Sequence, residues 1–126
     1  MGFVFYNPNP AGKIVEDCVF RALSIVLEMD WEDVYVRLSA IGLAESDRPD
    51  ANSVWSKMLE ENGFRRYAIP NFCPNCYTIH QFAIDHPKGV FVLATGTHVV
   101  ALIDGTYFDT MDSGDYVPIC YWTKGE

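Results

Sequence analysis

The fold is decided by a stretch near the end of the chain, residues 97–109, which reads THVVALIDGTYFD. Its first half is rich in β-branched and apolar residues and has the length of a strand, and residues 106–110 return as a second strand. Between them stands Asp104-Gly105, a dipeptide typical of a two-residue β-hairpin turn. The stretch therefore predicts two antiparallel strands joined by a tight turn.

The register of this hairpin determines which side chains can meet. A two-residue turn pairs Val100 with Asp109, and residues that are opposite each other or two apart share a face of the sheet. His98 and Asp109 then lie on one face, on a diagonal of roughly 5–8 Å, whereas Asp112 falls on the other face. A three-residue turn would reverse this parity, so Asp112 remains the alternative partner of His98.

A second stretch near the start of the chain, residues 16–23, reads EDCVFRAL. Asp17 has the character of a helix N-cap or of the residue just before it. Apolar residues follow at spacings of three and four, which predicts one buried helix face: Val19, Phe20, Leu23, Val26 and Leu27. This reading places Cys18 at the start of a helix.

The remaining patterns predict helices first and strands afterwards. Asp30 caps a second helix that Gly42 is expected to end, and Ser53 opens a third that stops at Gly63. A capping box at residues 78–81 opens a short fourth helix through Asp85. Strands are predicted at residues 2–6, 64–69, 90–95, 98–103, 106–110 and 117–122. The expected fold class is α+β, with a C-terminal antiparallel sheet after N-terminal helices.

Length and composition predict one domain over residues 1–126, with a helical half at about 1–63 and a sheet half at about 64–126. The formal net charge is −8, and only Arg65-Arg66 place two basic residues together. Nucleic-acid contact requires clustered Lys and Arg, so nucleic acid is not an expected partner.

Targeting signals are not visible in the sequence. No apolar run approaches the roughly 20 residues that span a bilayer, and the first residues lack a basic segment followed by a long apolar one. The four cysteines are too few and too unevenly spaced for a disulfide scaffold. The protein is therefore expected in the cytoplasm, without a membrane partner, as a monomer or weak homo-oligomer.

Cys18, His98 and Asp109 together suggest a thiol site. The free N–H groups at a helix start favour a thiolate, an imidazole forms an ion pair with it, and a carboxylate orients the imidazole. A lone helix cysteine or strand histidine is more often a packing residue. The three together, with Asp109 on the matching parity, favour a nucleophilic site.

The order of these residues resembles the papain-like cysteine peptidase superfamily, with a cysteine on an early helix and the histidine and carboxylate on late neighbouring strands. Asp17-Cys18 is similar to the Asp-Cys pair at the nucleophile of bacteriocin-processing peptidases. Residues 98–114 are similar to small papain-like proteins of gut bacteria and their phages.

That resemblance implies a papain-like fold and a hydrolase acting on a peptide, isopeptide or cell-wall amide bond. Cys18 would be the nucleophile, His98 the general base and acid, and Asp109 the orienting residue. No metal or organic cofactor is expected.

The chain departs from the family where papain-like enzymes carry a glutamine, about six residues before the nucleophile. Gly12 occupies that position. Asn7 or Asn9 could serve as oxyanion-hole donors if the proline-rich turn folds back, with the Cys18 backbone N–H as the other donor. The departure leaves open a catalytically inactive papain-like binding or interaction module of a bacterium or phage, and also acyl transfer to an amine.

Cys73 and Cys76 form a Cys-x-x-Cys pair, which is half of a possible zinc site. A second such pair is absent from the sequence, and a redox role would require the pair to open a helix after a strand. We interpret the pair as an incidental feature of a loop and predict no metal site.

Overall fold

The computed structural model describes residues 2–70 and 75–124. These residues form an α+β structure. Its helices are α1 (Cys18–Val26), α2 (Trp31–Glu45), α3 (Asn52–Glu61) and α4 (Ile79–Asp85). Its strands are β1 (Gly2–Phe5), β2 (Arg65–Ala68), β3 (Val90–Ala94), β4 (Val99–Ile103), β5 (Thr106–Asp109) and β6 (Cys120–Thr123).

The β4–β5 hairpin has the predicted two-residue turn. Ile103 pairs with Thr106, and the register continues to Ala101 opposite Phe108. Asp104 and Gly105 both have positive φ, 49° and 80°, as the tightest hairpin turns require. The parity that places Asp109 on the His98 side of the hairpin therefore rests on an observed register.

The C-terminal strands β2 to β6 pair antiparallel as predicted, but the whole sheet is mixed because the N-terminal strand β1 joins it, which the prediction did not include. The strand order is β1-β5-β4-β3-β6-β2. Neighbours pair antiparallel except β1, which pairs parallel to β5, from Gly2 opposite Thr106 to Phe5 opposite Asp109. The hairpin leaves one edge of β5 open, and β1 satisfies its backbone groups. Whether such distant strands pair parallel or antiparallel cannot be predicted from the sequence of either strand alone.

Alternating side chains of the sheet pack into two separate hydrophobic cores. Val92 and Ala101 belong to the cluster that packs with α1, α2 and α3, whereas Leu93 and Val100 belong to the cluster that packs with α4. Burial on both faces explains why β3 and β4 are nearly continuous apolar runs. The first core carries α1, and so it determines where Cys18 lies relative to β4.

Gly42 does not end the second helix, contrary to the prediction. Helix α2 continues to Glu45, and Ser46 is the residue with the left-handed conformation, at φ 56°. A Cβ on Gly42 would lie 2.8 Å from the carbonyl oxygen of Asp47. Gly42 is therefore required for the close approach of the loop that follows, and its conformation is helical.

The starts of α4 and β6 also test the predicted element boundaries. Thr78 is the N-cap of α4 and accepts a hydrogen bond from the Gln81 N–H at 3.2 Å, but Gln81 Nε2 donates to Asp85 Oδ1 at 3.0 Å, so only the Thr78 half of the predicted capping box forms. The last strand begins at Cys120, three residues later than expected, because Pro118 has no N–H to give to a ladder. Among the described residues, no helix is long and apolar enough to cross a membrane.

Candidate active site

Cys18 is the first residue of α1 and is partly exposed. At the first position of a helix, the backbone N–H has no acceptor within the helix, and the positive end of the helix dipole lies beside the side chain. Cys18 lines a cleft of about 970 Å³, which His98 also lines. The thiol is thus presented to an open space large enough for a segment of substrate.

His98 stands immediately before β4 and meets Asp109 at the end of β5. The His98 Nε2 atom lies 2.6 Å from Asp109 Oδ2. Because Nε2 is engaged there, Nδ1 is the ring nitrogen left for the thiol. The ring also contacts Tyr116 edge-on, with 5.2 Å between ring centroids, which limits its rotation.

The surroundings of His98 favour its protonated form. Burial opposes the charge and acts to lower the pKa of His98, but the hydrogen bonds to Asp109 and to Cys18 outweigh it and raise the pKa to about 9. The imidazole is therefore protonated at neutral pH. A cation in this position stabilises a neighbouring thiolate.

Asp109 is almost completely buried, and both of its carboxylate oxygens are engaged. Oδ2 faces His98, while Oδ1 accepts hydrogen bonds from Arg21 Nη2 at 2.9 Å and from the Thr110 N–H at 2.7 Å. Burial acts to raise the pKa of Asp109, but His98 and the Thr110 N–H outweigh burial and lower it. Asp109 thus stays ionised, with one oxygen held by the protein and the other directed at His98.

Arg21 extends this arrangement into α1. Its Nη1 atom donates to Asp17 Oδ1 and, at 3.3 Å, to the Val15 carbonyl. Asp17 Oδ2 in turn accepts a hydrogen bond from Trp31 Nε1 at 3.0 Å. Asp17 occupies the N-cap position of α1 as predicted, but its side chain makes no cap hydrogen bond, because its carboxylate is engaged by Arg21 and Trp31.

We call Asp17, Arg21, Asp109 and His98 the buried charge chain. It links the start of α1 to the end of β5, and its charges alternate in sign along its length. The role of Arg21 was not among the predictions from the sequence. An available signal was its place within the apolar residues of α1, four residues after Asp17, since a charged residue on a buried face requires a partner.

Asp112, the alternative partner of His98, is engaged elsewhere. Its Oδ1 atom accepts hydrogen bonds from the Tyr107 hydroxyl at 3.2 Å and the Gly114 N–H at 3.0 Å. These bonds tie Asp112 into the turn that follows β5. The structure therefore brings Asp109, and not Asp112, to His98.

Asn7 and Asn9 are not brought to the cleft, contrary to their proposed place in an oxyanion hole. The Asn9 side-chain oxygen accepts from the Ala11 N–H at 2.9 Å, and Asn7 Nδ2 donates to the Lys13 carbonyl at 3.2 Å. Both side chains close the proline-rich turn on itself, and neither lines the cleft. The backbone N–H of Cys18, at the first position of α1, is a free donor that the structure places beside the thiol.

Cys76 and Cys120 do not line this cleft. Cys120 is a buried free thiol, and burial raises its pKa, which neighbouring Arg66 opposes only in part. Cys76 is disulfide-bonded, and Cys73 lies outside the described residues. Within residues 2–70 and 75–124, no three His, Cys, Asp or Glu side chains are grouped to hold a metal ion.

Comparisons with protein-family models, with curated proteins and with solved structures found no match to this chain.

Proposed function

We propose that this protein is a thiol hydrolase of the papain-like type that cleaves an amide bond through Cys18, His98 and Asp109. One observation carries the proposal: an imidazole held by a buried carboxylate lines the same open cleft as a cysteine at a helix start. Each group has the neighbour that nucleophilic catalysis by a thiol requires.

In the proposed mechanism, the Cys18 thiolate attacks the carbonyl carbon of a bound amide. The backbone N–H of Cys18 stabilises the oxyanion that forms. Protonated His98 gives its proton to the leaving amine, which departs and leaves a thioester on Cys18. His98, now neutral, takes a proton from water as the water oxygen attacks the thioester; the Cys18 thiolate leaves, the carboxylic acid is released, and the thiolate–imidazolium pair is restored.

The competing proposal is a catalytically inactive binding module that uses the same cleft. The contacts of Asn7 and Asn9 favour it, because neither side chain supplies the second oxyanion donor found in papain-like enzymes. Such a module would bind a peptide without cleaving it. Turnover separates the two proposals, since both predict occupancy of the cleft.

The deciding experiment is the rate of iodoacetamide labelling of Cys18 between about pH 5 and pH 10, with the modified residue identified by peptide mass mapping. Cys120 is buried and serves as an internal slow thiol. We expect fast labelling near pH 6 and a loss of at least about tenfold at that pH in His98→Ala. A Cys18→Ala variant provides the background.

Slow labelling near pH 6 that does not change in His98→Ala would contradict the proposal. If Cys18 instead labels fast and depends on His98, the next experiment is a screen of fluorogenic peptide, isopeptide and cell-wall amide substrates, with Cys18→Ala as control. Reactive Cys18 with peptide binding but no turnover would favour the binding module.

A further inference from the structure

We propose that Arg21 is a positioning residue that holds Asp109 in place for His98. Because Asp17 neutralises its charge, Arg21 does so without weakening the interaction of Asp109 with protonated His98. The inference rests on the proposed function, because it assigns how that site is assembled. Within the part of the chain that the structure describes, Arg21 donates hydrogen bonds to Val15, Asp17 and Asp109 but not to the Cys18 thiol or the His98 imidazole, so its effect must pass through Asp109.

The guanidinium of Arg21 contacts two carboxylates at once. The guanidinium uses different nitrogens for its two carboxylates, Nη1 for Asp17 and Nη2 for Asp109. A planar group with several donors can hold two carboxylates at once in a fixed relation. Since Arg21 occupies Asp109 Oδ1, the carboxylate cannot turn away, and Oδ2 remains directed at His98 Nε2.

The ion pair between Arg21 and Asp109 joins two separate elements of the fold. Arg21 lies one turn after Cys18 on α1, whereas Asp109 ends β5. The Arg21–Asp109 ion pair is 5% and 1% exposed at its two side chains. A buried pair of this kind resists separation, because either charge left alone would be desolvated without a partner. It therefore fixes the separation between the thiol on α1 and the imidazole beside β5.

The charge of Arg21 is balanced by that of Asp17. An isolated guanidinium 2.9 Å from Asp109 would weaken the pull of the carboxylate on His98 and would repel the imidazolium. Asp17, buried on the far side of Arg21, removes that effect. The hydrogen bond from Trp31 Nε1 holds Asp17 in this position. The pair Asp17–Arg21 thus positions Asp109 without adding net positive charge beside His98.

Other charged or titratable groups also face His98 and must be separated from this effect. Cys18 approaches from α1, Asp109 from β5 and Tyr116 from the loop before β6. Further charged side chains line the same cleft: Glu16, Asp47, Arg48 and Asp50. Glu16 is exposed, next to Asp17 in sequence, and carries the same charge, so it supplies the matched control.

The experiment is an NMR titration of the His98 ring C–H signals in the parent, Asp17→Asn and Glu16→Gln. Asp17→Asn keeps an oxygen for Arg21 but removes the neutralising charge. We expect the His98 midpoint to fall by about one pH unit in Asp17→Asn and by clearly less in Glu16→Gln. Equal midpoints in the two variants would overturn the assignment of charge to Asp17.

Arg21→Lys tests the positioning role separately. It keeps the charge but replaces two fixed donor atoms with one ammonium. We expect iodoacetamide labelling of Cys18 near pH 7 to slow by about tenfold while the circular dichroism spectrum stays that of the parent. Labelling at the parent rate in a folded Arg21→Lys protein would overturn the positioning role.

Where a single variant does not fold, the double variant Asp17→Asn with Arg21→Met removes both charges together and leaves none uncompensated between them. It should lose the Arg21 hydrogen bond to Asp109 and label at least about fivefold more slowly than the parent. Labelling at the parent rate would overturn the inference. None of these readouts needs amide hydrolysis, so a protein with the expected shifts and no turnover would count against the proposed function alone.

Discussion

Two parts of the molecule around the same cleft differ in how far their charged side chains are exposed to solvent. In the buried charge chain, the Arg21 and Asp109 side chains are 5% and 1% exposed and each has a partner of opposite charge. In residues 47–53, which we call the loop wall, Arg48 and Asp50 are 77% and 47% exposed and approach to 3.3 Å. Both regions contain ion pairs between acidic and basic side chains, yet only the pair in the buried charge chain is shielded from solvent.

The difference decides what each region contributes. Removing one member of a buried ion pair leaves a desolvated charge and is strongly destabilising, whereas an exposed pair contributes little. The buried charge chain is therefore part of the fold as well as of the candidate site. The loop wall can change its side chains at small cost in stability, which suits a surface that contacts a substrate.

The largest effect is expected from Asp109→Ala, which leaves Arg21 without one of its two carboxylates and His98 without its partner. We expect a loss of about 3–5 kcal/mol in the free energy of unfolding, measured by urea denaturation at neutral pH. Asp115→Ala removes an exposed carboxylate from the same part of the chain and should change stability by less than about 0.5 kcal/mol. Similar losses in both variants would remove the distinction between the two regions.

Stability should also depend on pH through the buried charge chain. The pKa of His98 rises from an ordinary 6.5 to about 9 in the folded protein, so its stabilising contribution is complete below about pH 6.5 and is lost as the pH rises through 9. Asp109 acts in the opposite sense. Its lowered pKa stabilises the fold above the ordinary value of 3.8, and this contribution is lost as the pH falls through the folded value.

Urea unfolding at about pH 6 and pH 10 measures the His98 contribution, and we expect the parent to lose about 3 kcal/mol between them. His98→Gln cannot be protonated and should lose much less over the same interval. A parent whose decline matches that of His98→Gln would show that other groups cause the pH dependence.

Gly42→Ala tests the support of the loop wall. The added Cβ would lie 2.8 Å from the Asp47 carbonyl oxygen and 3.2 Å from the Pro49 nitrogen, both backbone atoms that cannot rotate away. We expect a net loss of about 1–3 kcal/mol in the free energy of unfolding, although Ala is usually favoured over Gly in a helix.

The control for Gly42→Ala is Leu43→Ala, since Leu43 is 83% exposed on the same helix and should change stability by less than about 0.5 kcal/mol. A stabilised Gly42→Ala protein would mean that helix propensity outweighs the contact with the loop. The labelling rate of Cys18 should stay near the parent value in both variants, because neither residue lines the cleft that holds Cys18.

The smallest effect is expected from Arg48→Ala, which removes the exposed pair with Asp50. We expect a change of less than about 1 kcal/mol in the free energy of unfolding. If the pair contributes to stability, this change should shrink as the salt concentration rises; a change that does not depend on salt would mean that the pair contributes nothing. A loss comparable to that of Asp109→Ala would show that the loop wall is as organised as the buried charge chain.

Much of the candidate site follows from local sequence. The turn at Asp104-Gly105 determines the β4–β5 register, because few dipeptides accept two successive positive φ values. That register gives the parity of Asp109. The start of α1 at Cys18 follows from the apolar spacing after Asp17.

The errors share a physical origin in contacts between distant segments. Asn7 and Asn9 bond to their own turn instead of facing the cleft, a choice set by the geometry of the folded loop. Gly42 looks like a helix stop, but its missing Cβ serves a contact with Asp47. The parallel pairing of β1 with β5 joins residues about a hundred positions apart, and strand propensity carries no information on direction.

By itself, the sequence determined the α+β class, the hairpin register and the identity of Cys18, His98 and Asp109 as residues that could meet, because turn chemistry and periodicity act over a few neighbouring residues. Only the tertiary structure decided that Asp17 and Arg21 stand behind Asp109. That decision required α1 and β5, 88 residues apart at Arg21 and Asp109, to be packed together, since a buried charge acquires its partner only when the core that excludes water has formed.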